Sequence, residues 1–180
     1  MIRFRCASCG QDHTGAPTFG WDYPLHYLVV PEAERGKRCF LTSDTCVVDD
    51  EAFYVRASLE IPIVGEAEPF AWGVWASLNE KNFVHFQELL AVAKRSHHGP
   101  FFGWLSSQIW IYPDTMNLKT QVHLRDEGNR PYIELEATDH PLAIEQRAGI
   151  SRERVAEIVE KAMHPGTPPN NGVHLTRSAR

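Results

Sequence analysis

One strand register satisfies both faces of the stretch from Leu118 to Ala137. Turned at Asp126-Glu127-Gly128-Asn129, with Arg125 opposite Arg130, it sets Val122 against Ile133 and Thr120 against Leu135 on one face. The other face then pairs Gln121 with Glu134 and Lys119 with Glu136. A one-residue slip would carry every apolar side chain to the wrong face, so an antiparallel pair with one buried side is the solution this stretch allows.

The rest of the chain extends that pattern. Cys46-Val47-Val48 and Phe53-Tyr54-Val55 flank Asp49-Asp50-Glu51 as a second hairpin, and Phe70 to Ala76 is apolar on both faces, as a central covered strand would be. A first strand is expected over Ile2–Arg5, and residues 32–38 form a surface loop or short helical turn. Asn79 caps a helix running to about Arg95, with Phe83, Phe86, Leu90 and Ala93 as its stripe. The glycines, prolines and aromatics from Ser96 to Thr115 read as an ordered loop or short helix. Two more helices follow, one capped by Asp139 with Pro141 in its first turn, the other capped by Ser151. Strands joined by hairpins and followed by helices predict an α+β fold, a mostly antiparallel sheet with helices packed on it. With 180 residues this is one domain over 1–163, and 164–180, rich in Pro, Gly and Asn, is expected to be a disordered tail.

Net charge −5 without a clustered basic face argues against a nucleic-acid surface. The apolar runs are too short to span a bilayer. Arginines stand near the N terminus where a secretory leader needs an apolar stretch, so the expected location is the cytoplasm.

Cys6-Ala-Ser-Cys9-Gly10 is the most specific local motif. Two intervening residues let both sulfurs face one ion, and Gly10 permits the positive φ of such a turn, which makes an N-terminal zinc knuckle. Structural zinc takes four ligands, and His13, Cys46 and Cys39 are the candidates to complete the set. A reduced, apolar role for the four cysteines is the competing reading. A redox pair needs a helix after the second cysteine, and no helical pattern continues past Gly10.

Asp139, His140, Glu145 and Arg147 gather at one helix start. His140 suits a general base or a metal ligand with Asp139 or Glu145 fixing its tautomer, while the structural alternative is a capping carboxylate beside surface charges. His97-His98 fits a helix end and its loop. Trp21, Trp72, Trp75, Trp104 and Trp110, with Phe101 and Phe102, supply either core or a ligand groove.

Several motifs together resemble a known family. They are Cys6-x-x-Cys9-Gly10-x-x-His13, Thr42 to Asp49, Phe53 to Arg56, Leu59 to Pro62, Trp72-Gly-Val-Trp75, Phe102-Gly-Trp-Leu105, Tyr112 to Thr115, and Thr138 to Gln146. The set resembles a bacterial family catalogued only as domain of unknown function 2199, and the likeness extends from Arg3 to about Met163. It implies a bacterial protein without an assigned activity, and it favours Cys46 over Cys39 as a ligand because Asp44-x-Cys46 belongs to the recurring motif. Three functions follow as expectations. The first is a module binding an unidentified protein or small molecule, stapled by zinc. The second is a metal-assisted hydrolase using His140 or Glu145, and the third is an acidic, toxin-neutralising antagonist.

Overall fold

A computed structural model describes residues 3–5, 10, 12–14, 18–163 and 173–176. In chain order the strands and helices are β1 (Arg3–Arg5), β2 (Asp12–Thr14), β3 (Thr18–Trp21), α1 (Leu25–Val29), α2 (Glu32–Arg38), β4 (Cys39–Leu41), β5 (Thr45–Val48), β6 (Ala52–Ile61) and β7 (Phe70–Leu78). Then come α3 (Glu80–Leu89), β8 (Phe101–Leu105), β9 (Lys119–His123), β10 (Tyr132–Leu135), α4 (Pro141–Ala148), α5 (Arg152–Met163) and β11 (Val173–Thr176). Within the stretch expected to be a disordered tail, β11 pairs antiparallel with β3.

The centre is an up-and-down meander, β6 to β10, that closes into a five-stranded barrel. With an odd number of strands the first and last run the same way, so β10 meets β6 in parallel at Tyr132↔Ser58 and Ile133↔Leu59. The sheet is otherwise mostly antiparallel, as expected, with a second parallel contact between β3 and β7 at Phe19↔Trp72. β6 and β7 pair along their full length, from Phe53↔Leu78 to Ile61↔Phe70. Each outruns its other neighbours and changes partner halfway, β6 from β5 to β10 and β7 from β3 to β8. That exchange of partners carries the two arms, β4–β5 and β3–β11, away from the barrel.

Val55, Ala57, Leu59 and Ile61 of β6 share one face with Ala76, Val74, Trp72 and Phe70 of β7, and all are buried. Val122, Ile133 and Leu135 add to the same core, as do Val155, Ile158 and Val159 of α5. Gly103 is required where β8 meets β7, because a Cβ there would overlap the Ser77 carbonyl oxygen. The β9–β10 pair has the predicted register, Val122↔Ile133, Gln121↔Glu134 and Thr120↔Leu135. Lys119 reaches Glu136 at 3.4 Å.

The seam is finished by α4. Where β6 and β10 part, the Gln146 amide takes the place of a strand: its Oε1 accepts from Leu135 N at 2.8 Å and its Nε2 donates to Ile133 O at 2.7 Å. Just past the helix, Ile150 N donates to Pro62 O and Val64 N donates to Ile150 O, at 2.8 and 2.9 Å.

Two helix boundaries differ from expectation. α3 starts at its predicted cap, with Asn79 Oδ1 accepting from Asn82 N at 2.8 Å, but ends at Leu89 rather than Arg95. Arg95 instead folds back, 2% exposed, and its guanidinium donates to the carbonyls of Leu89, Leu90, Arg125 and Asn129. It therefore supplies a C-terminal cap for α3 and ties that helix to the β9–β10 turn. The cap of α4 is His140, not Asp139. Pro141 is the first helical residue, and a residue before proline is held extended, so His140 takes the capping position. Ser151 caps α5 as predicted, its Oγ accepting from Arg154 N at 3.2 Å.

Candidate functional site

The outer face of β8–β9–β10 displays what the barrel does not need for its core. Along β8 the side chains alternate strictly. Phe101, Gly103 and Leu105 are buried, while Phe102 and Trp104 stand 41% and 39% exposed. The two exposed rings meet edge-on, centroids 5.3 Å apart. Register places Phe102 beside Gln121 and Trp104 beside Lys119; β10 adds Glu134, and Glu136 follows just past its end. A cavity of about 310 Å³ opens on this face, lined by Phe102, Lys119, Gln121, Glu134, Glu136 and Arg147. Glu134 also lines a second cavity of about 360 Å³ over the seam, with Glu60, Ile63, Glu66, Tyr132 and Gln146. Exposed aromatic rings here lie among side chains of both charge signs.

The other tryptophans divide as core. Trp21, Trp72 and Trp75 are buried, and Trp75 Nε1 donates to Trp21 O at 2.9 Å. Trp110 is half-buried.

The side chains at the start of α4 make hydrogen bonds within the fold. His140 Nδ1 accepts from Leu142 N at 3.2 Å, which spends on the backbone the lone pair that a general base would use; its Nε2 is buried without a partner. Glu145 has both oxygens engaged, one accepting from the Tyr112 hydroxyl at 2.5 Å and the other from Arg154 Nε at 2.8 Å. Burial and the Glu145 carboxylate hold the Tyr112 hydroxyl well above the usual tyrosine range. This clamp joins the loop after β8 to α4 and α5. Asp139 is exposed, and no hydrogen bond links it or Glu145 to the His140 ring. Arg147 donates to Thr138 O at 3.1 Å.

The candidate metal ligands divide between described and undescribed positions. Cys6 and Cys9 lie outside the described residues. The strands on either side of them pair as a hairpin, Arg3↔Thr14 to Arg5↔Asp12, with His13 opposite Phe4 and Gly10 at φ 69°. Cys46 is fully buried on β5, where burial and the nearby Cys39 push its thiol up to about 12. Cys39 is half-buried on β4, and its thiol too is raised, chiefly by desolvation. His97 and His98 follow the loop after α3 instead of ending the helix, with ring centroids 4.1 Å apart. Among the described residues no three His, Cys, Asp or Glu side chains are placed to hold a metal ion.

Sequence reasoning flagged Phe102 and Trp104 within a general aromatic set and within the Phe102-Gly-Trp-Leu105 motif, and marked neither as exposed. What separates them from the core is their place at every second residue of β8, with Gly103 between.

Among the described residues no helix is long and apolar enough to cross a membrane. A family profile described as an uncharacterised protein conserved in bacteria (DUF2199) matches residues 5–150, and the chain belongs to that family. No curated protein and no solved structure matches it.

Proposed function

We propose that this member of an uncharacterised bacterial family is a binding module whose contact surface is the outer face of β8–β9–β10, recognising a protein or peptide partner. The observation that carries the reading is the pair of rings, Phe102 and Trp104, held half-exposed on a rigid strand beside a cavity. Rigid aromatics bind at low entropic cost, and the interleaved Lys119, Glu134, Glu136 and Arg147 supply a polar rim. If about 80 Å² of each ring is covered on binding, each contributes about 2 kcal/mol, or roughly thirtyfold in affinity.

A photo-crosslinking residue at Gln121 tests this in cells, with the same residue at exposed Val84 on α3 as control. A discrete adduct at 121, absent at 84 and lost in Phe102→Ser/Trp104→Ser, supports the reading. Equal or absent adducts at both positions refute it.

The hydrolase reading loses support because Glu145 and His140 are committed to structural bonds. The antagonist reading loses support because Glu34, Asp49, Glu60, Glu66 and Glu145 each face an arginine. A structural zinc at Cys6 and Cys9 remains part of the proposal, supported by the flanking hairpin and the positive φ of Gly10. His13 on the return strand is the preferred third ligand. Cys46 is the weaker choice, since its burial favours the protonated thiol. Zinc content of native protein and of Cys6→Ser/Cys9→Ser decides the matter: metal retained by the double variant, or absent from both, removes the knuckle.

A further inference from the structure

The register of β8, β9 and β10 sets the outer side chains in two rows that cross the strands. Phe102, Gln121 and Glu134 make one row, and Trp104, Lys119 and Glu136 make the other. Each row begins at an aromatic ring on β8 and ends at a carboxylate on β10 or just past it. In the second row the carboxylate is taken, because Glu136 meets Lys119 at 3.4 Å. In the first row the middle residue is the uncharged Gln121, and nothing in the row balances Glu134.

Glu134 also stands where the two cavities of this region adjoin. It lines both, with Phe102, Lys119 and Gln121 on one side and Glu60, Glu66 and Tyr132 on the other. Glu60 and Glu66 reach Arg125 and Arg152, each at 2.7 Å. Arg147, the second cation of the aromatic side, donates to Thr138 O at 3.1 Å. The Glu134 side chain is 67% exposed, and its neighbour is the His123 imidazole, whose Nε2 lies 3.3 Å away and makes no hydrogen bond. Among the described residues, Glu134 is therefore the carboxylate of the two cavities that faces neither lysine nor arginine.

Both flanks of β10 are occupied. β9 pairs along one, and on the other β6 reaches Ile133 before the Gln146 side chain takes over. A partner cannot add a strand here, so it must be read through side chains. The first row sets the spacing of that reading. Strands lie about 4.8 Å apart, which puts Glu134 about 10 Å from Phe102 across β9, and an extended peptide advancing about 3.3 Å per residue covers this in about three residues.

We propose that the partner of this face is an extended peptide segment with an aromatic or large apolar residue and, about three positions away, a lysine or arginine. The first packs on Phe102 and Trp104, and the second pairs with Glu134. The cation gives Glu134 a charge-assisted hydrogen bond, and complementary charge fixes the direction in which the segment lies. This inference rests on the reading of β8–β9–β10 as a binding surface and adds the charge and spacing of what it binds.

A phage-displayed library of random dodecapeptides, panned on the immobilised full chain, tests it. Labelled synthetic copies of the enriched peptides are titrated by fluorescence anisotropy against the native chain, Glu134→Gln and Phe102→Ser/Trp104→Ser. The expected peptides carry the aromatic and basic residues at the stated spacing, lose about tenfold in affinity for Glu134→Gln, and fail to bind the double variant. Panning on Glu134→Lys should select Asp or Glu where the native chain selects Lys or Arg. Because Glu134 is exposed, neither substitution disturbs the core. The inference is overturned, with the binding surface left standing, if peptides that need Phe102 and Trp104 lack the basic residue or bind Glu134→Gln as tightly as the native chain. It is overturned also if no enriched peptide needs the rings, and the crosslink at Gln121 then decides whether the face binds a folded protein instead.

Discussion

Replacing Arg95 by methionine isolates a buried cation that holds the β9–β10 turn against α3. Its guanidinium makes three good hydrogen bonds, to Leu90 O at 2.8 Å, Arg125 O at 2.9 Å and Asn129 O at 3.1 Å, and a longer one to Leu89 O at 3.3 Å. Hydrogen bonds to a charged group contribute about 1.5–3 kcal/mol each. Against that sum stands the several kcal/mol needed to desolvate a guanidinium, which methionine avoids. Methionine fills the volume but leaves carbonyls without donors, so the net loss is about 3 kcal/mol. With an m-value of about 2 kcal/mol/M in urea, the midpoint falls by about 1.5 M. Arg95→Lys should recover little, because one ammonium cannot reach carbonyls on both the helix end and the turn. Equilibrium urea unfolding, followed by tryptophan fluorescence and circular dichroism together, reads the effect. A loss below about 1 kcal/mol for Arg95→Met, or near-complete rescue by lysine, would refute the assignment of Arg95 as a multi-carbonyl cap.

Other predictions concern the sheet and its turns. Gly103→Ala should cost more than about 3 kcal/mol, because the new Cβ meets the Ser77 carbonyl within the β7–β8 ladder, and a thermal melt near the native one would contradict this. Asp50 sits at φ 55°, so Asp50→Gly should raise stability by about 0.5–1 kcal/mol, whereas Asp49→Gly should lower it through loss of the Arg38 pair, both measured by urea unfolding. The Arg38 hydrogen bond holds the Asp49 carboxyl below its usual range. Its contribution is therefore complete above the unfolded value, about 3.9, and is lost as pH falls through the lower folded value. Arg38→Gln should flatten that part of the stability–pH curve between about pH 5 and 2, and an unchanged slope would exclude the pair as its source.

Strand register was legible in sequence where one face is polar. Lys119, Gln121, Glu134 and Glu136 alternate with Thr120, Val122, Ile133 and Leu135, so the β9–β10 register follows from period alone. β8 was hidden by the same logic: Phe101, Phe102, Trp104 and Leu105 are apolar on both faces, and period two vanishes when the exposed positions are aromatic. The exposed rings that concealed the strand are the ones that mark the candidate surface. α3 was overextended because Ala91 to Lys94 carry no breaker, and its end is set by Arg95 returning to the Leu89 and Leu90 carbonyls, a tertiary contact. Asp139 was favoured over His140 as a cap on residue type, although Pro141 fixes the capping position one residue later.

The Gln146 side chain and the Ile150 backbone that finish the barrel seam bear on how the protein is made. The meander from β6 to β10 can build up hairpin by hairpin as the chain leaves the ribosome, since each strand meets the one before it. The last joint is different, because it unites the first strand of the meander with the fifth and depends on residues synthesised later still. Until Gln146 and Ile150 emerge, the seam between β6 and β10 lacks the bonds they give to Ile133, Leu135, Pro62 and Val64, and those strand ends are left unpaired. A truncation within α4 should therefore leave a species that retains its hairpins but sticks to its own kind. The interval in synthesis between β10 and the end of α4 is when this protein most needs shielding.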